Sequence, residues 1–576
     1  MKMKTRNILL ISALLTLAAQ SCDKFLEEEL VSDVSAASYY TTAKGLEDAV
    51  DATYHYMRIV YSNERAYMLT TFGTDTYTNG ADGGYKSFNY YDNGLRSDVN
   101  ILDQVWENLY KGINQANAVL NRSTAIADME PDLLVQRQAE VRFLRALYYF
   151  ILVQQWGDVH LSLEETVGAV VTANKTPQRD IYEQAIIPDL EFALANLLPP
   201  GEQSDYGRAT SGAAEFLLAK ALLTRGYQSF GEANDFSRAE THFTNVIENY
   251  GYGLESSIDQ VFDQDNQTNN EIVFAVQYST DVLLNGGEGN RGHLYFLMEY
   301  DILPGMVRDI ENGRPFKRFR LTEYMQDVWG ANRDNDSRYD LTYKHVWYSN
   351  NETSIPNWTQ ENVDAGAKNA DGSAAVVGQP KFIVGDTAIF IPGPGKDAIW
   401  TPTKKLQTRY RVYTTDEYDE RVFAHTAKHI DPRRPAIQWE RGSRDFFIMR
   451  LADAYLFRAE ARFQQGPGGL PGAVDDINVV RTRAAWPGKE ADMMISSADV
   501  NIDFILEERA REMDAEQERW YDLARTGKLV ERVSLYNPDA TGIQDHHIHR
   551  PIPQSQIDRT QGGYPQNCGY PDGVCN

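Results

Sequence analysis

Between Thr70 and Leu95 the chain sets Tyr77, Tyr85, Tyr90 and Tyr91 among Asp75, Asn79, Asp82, Asn89, Asp92 and Asn93. That mixture suits recognition of a sugar. A pyranose presents axial C–H bonds that lie well against the electron-rich face of an aromatic ring, and its hydroxyls need carboxylate and amide partners. Asp75, Tyr77, Tyr85, Asn89 and Tyr90 are therefore the glycan-binding candidates of this segment. The same composition also suits a surface loop padded by tyrosines, with Asn, Asp and Gly making its turns.

A second aromatic group comprises Trp329, Tyr339, Tyr343, Trp347, Tyr348 and Trp358, with Asp336 and Arg338 close by. Tyr339, Tyr343 and Trp347 recur every four residues, a spacing that packs one helix face as readily as it binds a ligand. Trp347 and Trp358 are the stacking candidates here. Trp106, Trp156, Trp486 and Trp520 lie inside helical segments and read as core.

Other chemistries find little support. Gly287 to Gly292 satisfies the spacing of a dinucleotide loop, but that motif needs a strand before it and a helix after it, and Glu288 would oppose a pyrophosphate. Asp263, Asp265, Gln267 and Asn269 alternate like the start of a calcium loop, yet the sixth position is Thr268 and the twelfth is Phe274. A looser structural calcium site on these residues stays open. His546, His547 and His549 sit in a Pro-flanked stretch with no Cys or carboxylate cluster to complete a metal set. There is no HExxH and no GxSxG, so we expect neither a catalytic metal nor another cofactor. Glycosidases need only two carboxylates and can hide in any acidic chain.

Lys2, Lys4 and Arg6 precede an apolar run from Ile8 to Ala19, and Cys22 follows at once. The run has the length of an export signal and falls short of the ~20 residues of a spanning helix. Residues 1–21 then form a lipoprotein signal peptide and Cys22, the first mature residue, carries the lipid. Ala19 and Gln20 depart from the usual residues before such a cut, and ordinary cleavage after small residues is the alternative. With Cys22 lipidated, Cys568 and Cys575 remain as a pair. A disulfide between them would be worth about 2–3 kcal/mol in an oxidising compartment; two free thiols are the alternative.

The formal charge of −26 becomes more negative once three signal-peptide cations are removed. Such a field repels phosphate backbones, so nucleic acid is a poor partner and neutral ligands fit better.

The elements that must hold these residues are mostly helices. Apolar periodicity predicts them at about 44–59, 102–122, 131–155, 180–198, 207–229 and 235–250, then 446–465, 470–485 and 501–526. Pairs such as 207–229 with 235–250, and 446–465 with 470–485, carry small residues at close-approach spacings and read as degenerate tetratricopeptide-like units. Residues 251–445 differ: Glu271 to Tyr278 is strand-like, the rest is rich in Gly, Asn, Asp, Tyr and Trp, and residues 348–381 read as a long surface loop. The expected architecture is mainly α, with a helical scaffold over about 40–250 and 446–526 and a loop-rich insert over about 251–445. No clear boundary divides residues 22–576.

Several segments together resemble the SusD/RagB family. They are Ala139 to Phe150 with Gln155-Trp-Gly-Asp158, Met449 to Ala461 with Ile477-Asn478 and Arg481 to Ala484, Ile505 to Arg509 with Glu512, Glu518 to Leu523 with Arg525, and Pro551-Ile-Pro553 with Gln566-Asn567 and Gly569-Tyr570. His160 and Cys568 depart from the family's usual prolines. The resemblance implies a SusD-like fold. It also implies a non-catalytic, lipid-anchored outer-membrane protein at the cell surface that captures oligo- or polysaccharide and delivers it to a SusC-like TonB-dependent transporter. A loop near residues 70–95 would contribute to the ligand site. Peptide cargo, a surface polysaccharide hydrolase and a pure scaffold are the alternatives. Arg142, Arg145, Glu508, Arg509, Glu512, Arg519 and Asp522 are placed to pair between helices and so to hold the scaffold together.

Overall fold

The computed structural model describes residues 39, 41–281, 283–285, 287, 289–573 and 575. Eight helices stack each on the next: α1 (Ala43–His55), α2 (Asn100–Ser123), α3 (Pro131–Trp156), α4 (Ile187–Asn196), α5 (Ser211–Gly226), α6 (Asp235–Asn249), α7 (Leu451–Gln464) and α8 (Leu470–Ala484). The expected hairpins are α5 with α6 and α7 with α8. They meet through α6 and α7, so the stack continues across the whole intervening insert. Small residues allow this: Ala213, Ala214, Ala219 and Ala221 on α5, and Ala452, Ala454, Ala459 and Ala461 on α7, are all fully buried. Thr210 caps α5, its hydroxyl accepting from the Ala213 amide.

From Ala139 to Trp156, α3 is buried on nearly every face and not only along its predicted stripe. Its charges are neutralised internally. Arg145 grips Asp189 of α4 through two hydrogen bonds of 2.7 and 2.8 Å and reaches Asn117 of α2 at 2.6 Å. Among the helices beyond α8 are α9 (Ile502–Glu512) and α10 (Arg519–Arg525). They were expected as one helix over 501–526. The chain instead breaks at Met513 to Glu518, where Ala515 and Gln517 take positive φ of 62° and 65°. The break turns the segment toward buried cations. Lys428 donates to the Asp514 carbonyl at 3.1 Å and to Glu516 at 2.9 Å, and Arg450 donates to the Glu512 carbonyl at 2.6 Å.

The strands are short: β1 (Tyr77–Asn79), β2 (Ile272–Val276), β3 (Phe319–Leu321), β4 (Val346–Tyr348), β5 (Thr387–Phe390), β6 (Arg411–Val412) and β7 (Phe446–Arg450). β1 pairs antiparallel with β3, β2 with β7, and β4 with β5, while β6 joins β5 in parallel. β7 occupies the start of the helix expected from 446; its five residues are all buried and pair with β2 instead. The expected loop 348–381 contains a one-turn helix, Gln360–Asp364, and a small core of Trp358, Ala367 and Ala375. One large apolar cluster runs through both parts of the chain, taking Leu217 and Phe457 from the helical stack and Leu294, Trp347 and Ile389 from the insert.

Buried ion pairs tie the insert to α9. Arg338 meets Asp336, Glu508 and Glu512 at 2.7, 2.8 and 3.0 Å. Arg450 meets Glu271, Glu512 and Glu516 at 2.9, 2.6 and 2.7 Å. Burial by itself would raise Glu508, but Arg338, Arg481 and Arg511 outweigh it and hold the carboxyl down at about 2.

Candidate functional site

Most sequence candidates turn out to be structural. Asp75 is fully buried between Arg519 and Arg532, with contacts of 2.7 and 2.8 Å. Tyr77 lies in β1 and donates to Asp514 at 2.9 Å. Asn89 donates to Thr78 at 3.1 Å and accepts from Asn537 at 2.8 Å. Trp347 is fully buried edge-on to His425, and Trp358 is buried with its indole N–H on Asn369 at 2.9 Å. None of these five offers a face to a ligand. Their polar atoms looked like sugar partners because a core built on buried hydrogen bonds uses the same residue types. In the second aromatic group the exposed member is Tyr348, at 59% of its full accessibility.

Tyr85 and Tyr90 behave differently. Both are half-buried on a rim whose loop, from Ala81 to Ser87, rises over the β1–β3 pair. Main-chain bonds fix that loop: Gly80 donates to the Arg318 carbonyl at 2.9 Å and Ala81 to the Glu420 carbonyl at 2.8 Å. Below it, Gly73 takes φ +74° where a Cβ would stand 2.3 Å from the Phe88 carbonyl, so the turn admits only glycine. Tyr85 donates to Asn100 at 3.0 Å. The Tyr90 hydroxyl is pushed up by burial and then by Asp539, Glu420 and Asp92, which places an acidic surround about the ring. Asp82 stands exposed on that loop, and Asp92 and Asn93 stand exposed just after the helical turn Ser87–Tyr90.

The insert holds a cleft that the sequence reading missed. About 570 Å³ in volume, within the range of small-molecule sites, it has an apolar floor that includes Pro356, Phe382, Leu406 and Val412. Over that floor stand Tyr410 and the cations Lys381, Lys405, Arg409 and Arg411. The helical turn Pro402–Gln407, capped by Thr401, presents Lys405, and the chain then reverses into β6 to bring Arg411 alongside β5. Glu417 neutralises two of the cations, taking Lys405 at 2.5 Å and Arg411 at 2.7 Å. Arg409 reaches Asp386 at 3.3 Å. Lys381 forms no ion pair among the described residues; its ammonium rests 5.0 Å from the ring centre of Trp358. Beside the cleft, Phe390, Trp400 and Tyr410 meet ring to ring at 5.5 to 6.5 Å. The one sequence signal was Arg409-Tyr410-Arg411, cations alternating with an aromatic after a Pro-started turn.

A larger cavity, about 1210 Å³, is walled by the closing segment through His546, His549, Asn567 and Cys568, with Lys175 and Asp158 opposite. It lacks a stacking platform, since its one indole, Trp156, is fully buried. Burial lowers His549 to about 4, so its imidazole is neutral near pH 7. Cys568 and Cys575 are joined as a disulfide with 4.7 Å between Cα atoms. Cys22 lies outside the described residues. In the stretch offered for calcium, Asp265 pairs with Arg433, Gln267 accepts from the Asp445 amide and Asn269 from the Glu271 amide. Among the described residues no group of three or more His, Cys, Asp or Glu could hold a metal ion, and no helix is long and apolar enough to cross a membrane.

The fold is thus a helical stack carrying a loop-rich insert with clefts. Residues 270–570 match the SusD family, and residues 24–228 match a family described as starch-binding associating with outer membrane. The chain belongs to the SusD family. It is similar to SusD-like protein P25 of Formosa agariphila, 23% identical over 98% of this chain and 100% of that one. It is also similar to the starch-binding protein SusD of Bacteroides thetaiotaomicron, 25% identical over 81% of this chain and 78% of that one. Among solved structures, a SusD homologue from Bacteroides thetaiotaomicron gives a TM-score of 0.68 at 22% identity, covering 94% of this chain and 99% of that one. A laminarin-binding SusD-like protein gives 0.64 at 21%, covering 92% and 100%.

Proposed function

We propose that this protein captures oligo- or polysaccharide at the cell surface, held to the outer membrane by lipid on Cys22, and delivers it to a SusC-like TonB-dependent transporter. Membership of a family whose relatives include a starch-binding protein and, by fold, a laminarin-binding one carries the reading. The rim at Tyr85 and Tyr90 supports it, because partly exposed rings beside exposed carboxylates and amides match the two faces of a sugar. Capture proceeds without bond cleavage. Hydrolysis of a glycoside needs a cleft carboxyl with a raised pKa facing a second one about 5–10 Å away. The carboxyls that burial pushes upward here, Asp445, Asp453, Asp476, Asp514 and Glu518, line neither the insert cleft nor the large cavity.

The test is calorimetric titration of residues 23–576 with neutral and acidic polysaccharides and a peptide digest, each mixture assayed for new reducing ends. Binding without cleavage is expected, with the neutral glycans lost in the Tyr85→Ala/Tyr90→Ala variant. Release of reducing ends would make the protein a hydrolase, and binding confined to peptides would change the cargo.

A further inference from the structure

The insert cleft departs from the charge of the whole chain. In a protein of formal charge −26, four cations line a single small cleft. Two of them share Glu417, and a third leans on Asp386. The remaining lining carboxylates, Glu361 and Asp416, are exposed, where solvent screens them. Lys381 is half-buried and its main-chain amide is fixed to the Pro356 carbonyl at 2.9 Å. Behind its ammonium lies the face of Trp358, itself locked by Ala367, Ala375 and Asn369. Burial lowers its pKa and Arg411 lowers it further; no carboxylate acts to raise it. A cation held in place against a ring, repelled by a second cation and lacking a counterion is arranged for an anion that arrives from outside.

We propose that the insert cleft is a second glycan subsite selective for an anionic group, with Lys381 and Arg411 taking the oxyanion of a uronate carboxylate or a sulfate ester while Tyr410 and the apolar floor take the ring that carries it. The cleft then gives an acidic protein an acidic-sugar preference that its overall charge opposes. Glu417 keeps Lys405 and Arg411 in place before the ligand arrives, so little ordering remains to be done on binding.

The inference rests on the capture reading, and the two fail separately. Residues 23–576 are titrated with a sulfated galactan oligosaccharide, an oligogalacturonate and a neutral counterpart of each, using the unmodified chain, Lys381→Met, Lys381→Arg and the Tyr85→Ala/Tyr90→Ala variant. Lys381→Met keeps the apolar stem, and an unchanged melting temperature with unchanged neutral-glycan affinity verifies its fold. It is expected to weaken the anionic probes by about tenfold or more, the scale of one charge-assisted hydrogen bond. Lys381→Arg restores most of that loss, and raising NaCl weakens the anionic probes alone. Whichever of the two anionic probes is discriminated more strongly from its neutral counterpart identifies the source of the oxyanion. Equal affinity for charged and neutral probes, or an unaffected Lys381→Met, overturns the inference. So does inorganic sulfate competing as well as the sulfated oligosaccharide, since the site would then hold an ion and not a sugar. Loss of all binding in the tyrosine variant would place every glycan on the rim and overturn the second subsite; retained discrimination there supports it.

Discussion

Asp75 and Arg519 form a two-pronged ion pair, with both guanidinium-to-carboxylate contacts at 2.7 Å, although 444 positions separate them in sequence. Arg532 adds a third contact at 2.8 Å. Burial by itself would raise the carboxyl, but Arg519 and Arg532 outweigh it and hold Asp75 below its ordinary value. A residue that sequence alone offers to a ligand thus fastens the segment before β1 to α10 and to the helix Leu529–Tyr536.

Removing one partner of a buried pair leaves the other charge uncompensated. Asp75→Ala is therefore expected to cost about 3–5 kcal/mol in urea unfolding, because two guanidiniums lose one carboxylate. The folded fraction should bind glycan with unchanged affinity. A loss of affinity without a loss of stability would return Asp75 to the ligand site.

The same buried network sets the acid limit. Glu508 is held at about 2 and Glu512 well below its ordinary value, each by cations that outweigh burial. A carboxyl whose folded pKa is depressed contributes stability that is present above its unfolded value, about 4.3 for Glu, and lost as pH falls through the folded value. The urea midpoint should therefore drop steeply between roughly pH 4 and pH 2. Glu508→Gln should soften that drop while lowering stability at pH 7. A midpoint flat down to pH 2 would contradict the assignment.

The helical stack could be read from sequence because burial follows a 3.6-residue period there, and α2, α5, α6 and α8 fall close to where that period puts them. Two boundaries could not. β7 at Phe446 to Arg450 is an apolar run too short to tell strand from helix, and only its partner β2, far away in the chain, decides it. The break at Ala515 and Gln517 serves Lys428 and Arg450, again partners without a local signal. The site was least legible. Asp75, Asn89, Trp347 and Trp358 have the residue types of a sugar site and the burial of a core, and composition does not separate the two. Lys381 gave no signal, since its lack of a counterion depends on how separate segments of the insert come together around it.

Trp358 illustrates how a core residue still tunes a site. Its ring backs the Lys381 ammonium at 5.0 Å, within cation–π range. Trp358→Leu keeps an apolar plug between Ala367 and Ala375 but removes that face. It should weaken anionic glycans by about threefold to tenfold, the worth of one partly desolvated cation–π contact, and leave neutral glycans unchanged. Equal weakening of both would mean that the small core had merely loosened, which a lowered melting temperature would reveal.

The disulfide closes a loop between residues seven apart, and the tail it holds is also tied by hydrogen bonds. Asn567 donates to the carbonyls of Trp156 and Arg550 at 2.9 and 2.8 Å, and Tyr570 to that of His549 at 2.8 Å. Replacing both cysteines by serine should cost about 2–3 kcal/mol, the loop-closure value, and leave glycan affinity unchanged. Calorimetric melting of the variant against the oxidised chain measures it. A loss well under 1 kcal/mol would mean that the hydrogen bonds alone order the tail.

Asp445 has the opposite linkage to Glu508. Burial pushes its carboxyl up to about 7, only partly opposed by the Tyr278 amide, which donates to it at 2.8 Å, and by Arg444 and Arg58. A group whose folded pKa is raised contributes stability that is complete below its unfolded pKa, about 3.9 for Asp, and lost as pH climbs through the folded value. The chain should therefore grow less stable between roughly pH 4 and pH 7, so that the optimum lies on the acid side of neutrality. Asp445→Asn keeps the oxygen that accepts from Tyr278 and removes the charge. It should raise stability at pH 8 by about 1–2 kcal/mol and by clearly less at pH 5. Urea unfolding of the two chains at both pH values decides it. A variant that is destabilised equally at pH 5 and pH 8 would show that the carboxylate works as the partner of Arg444 and Arg58, and that its charge is not the strained element.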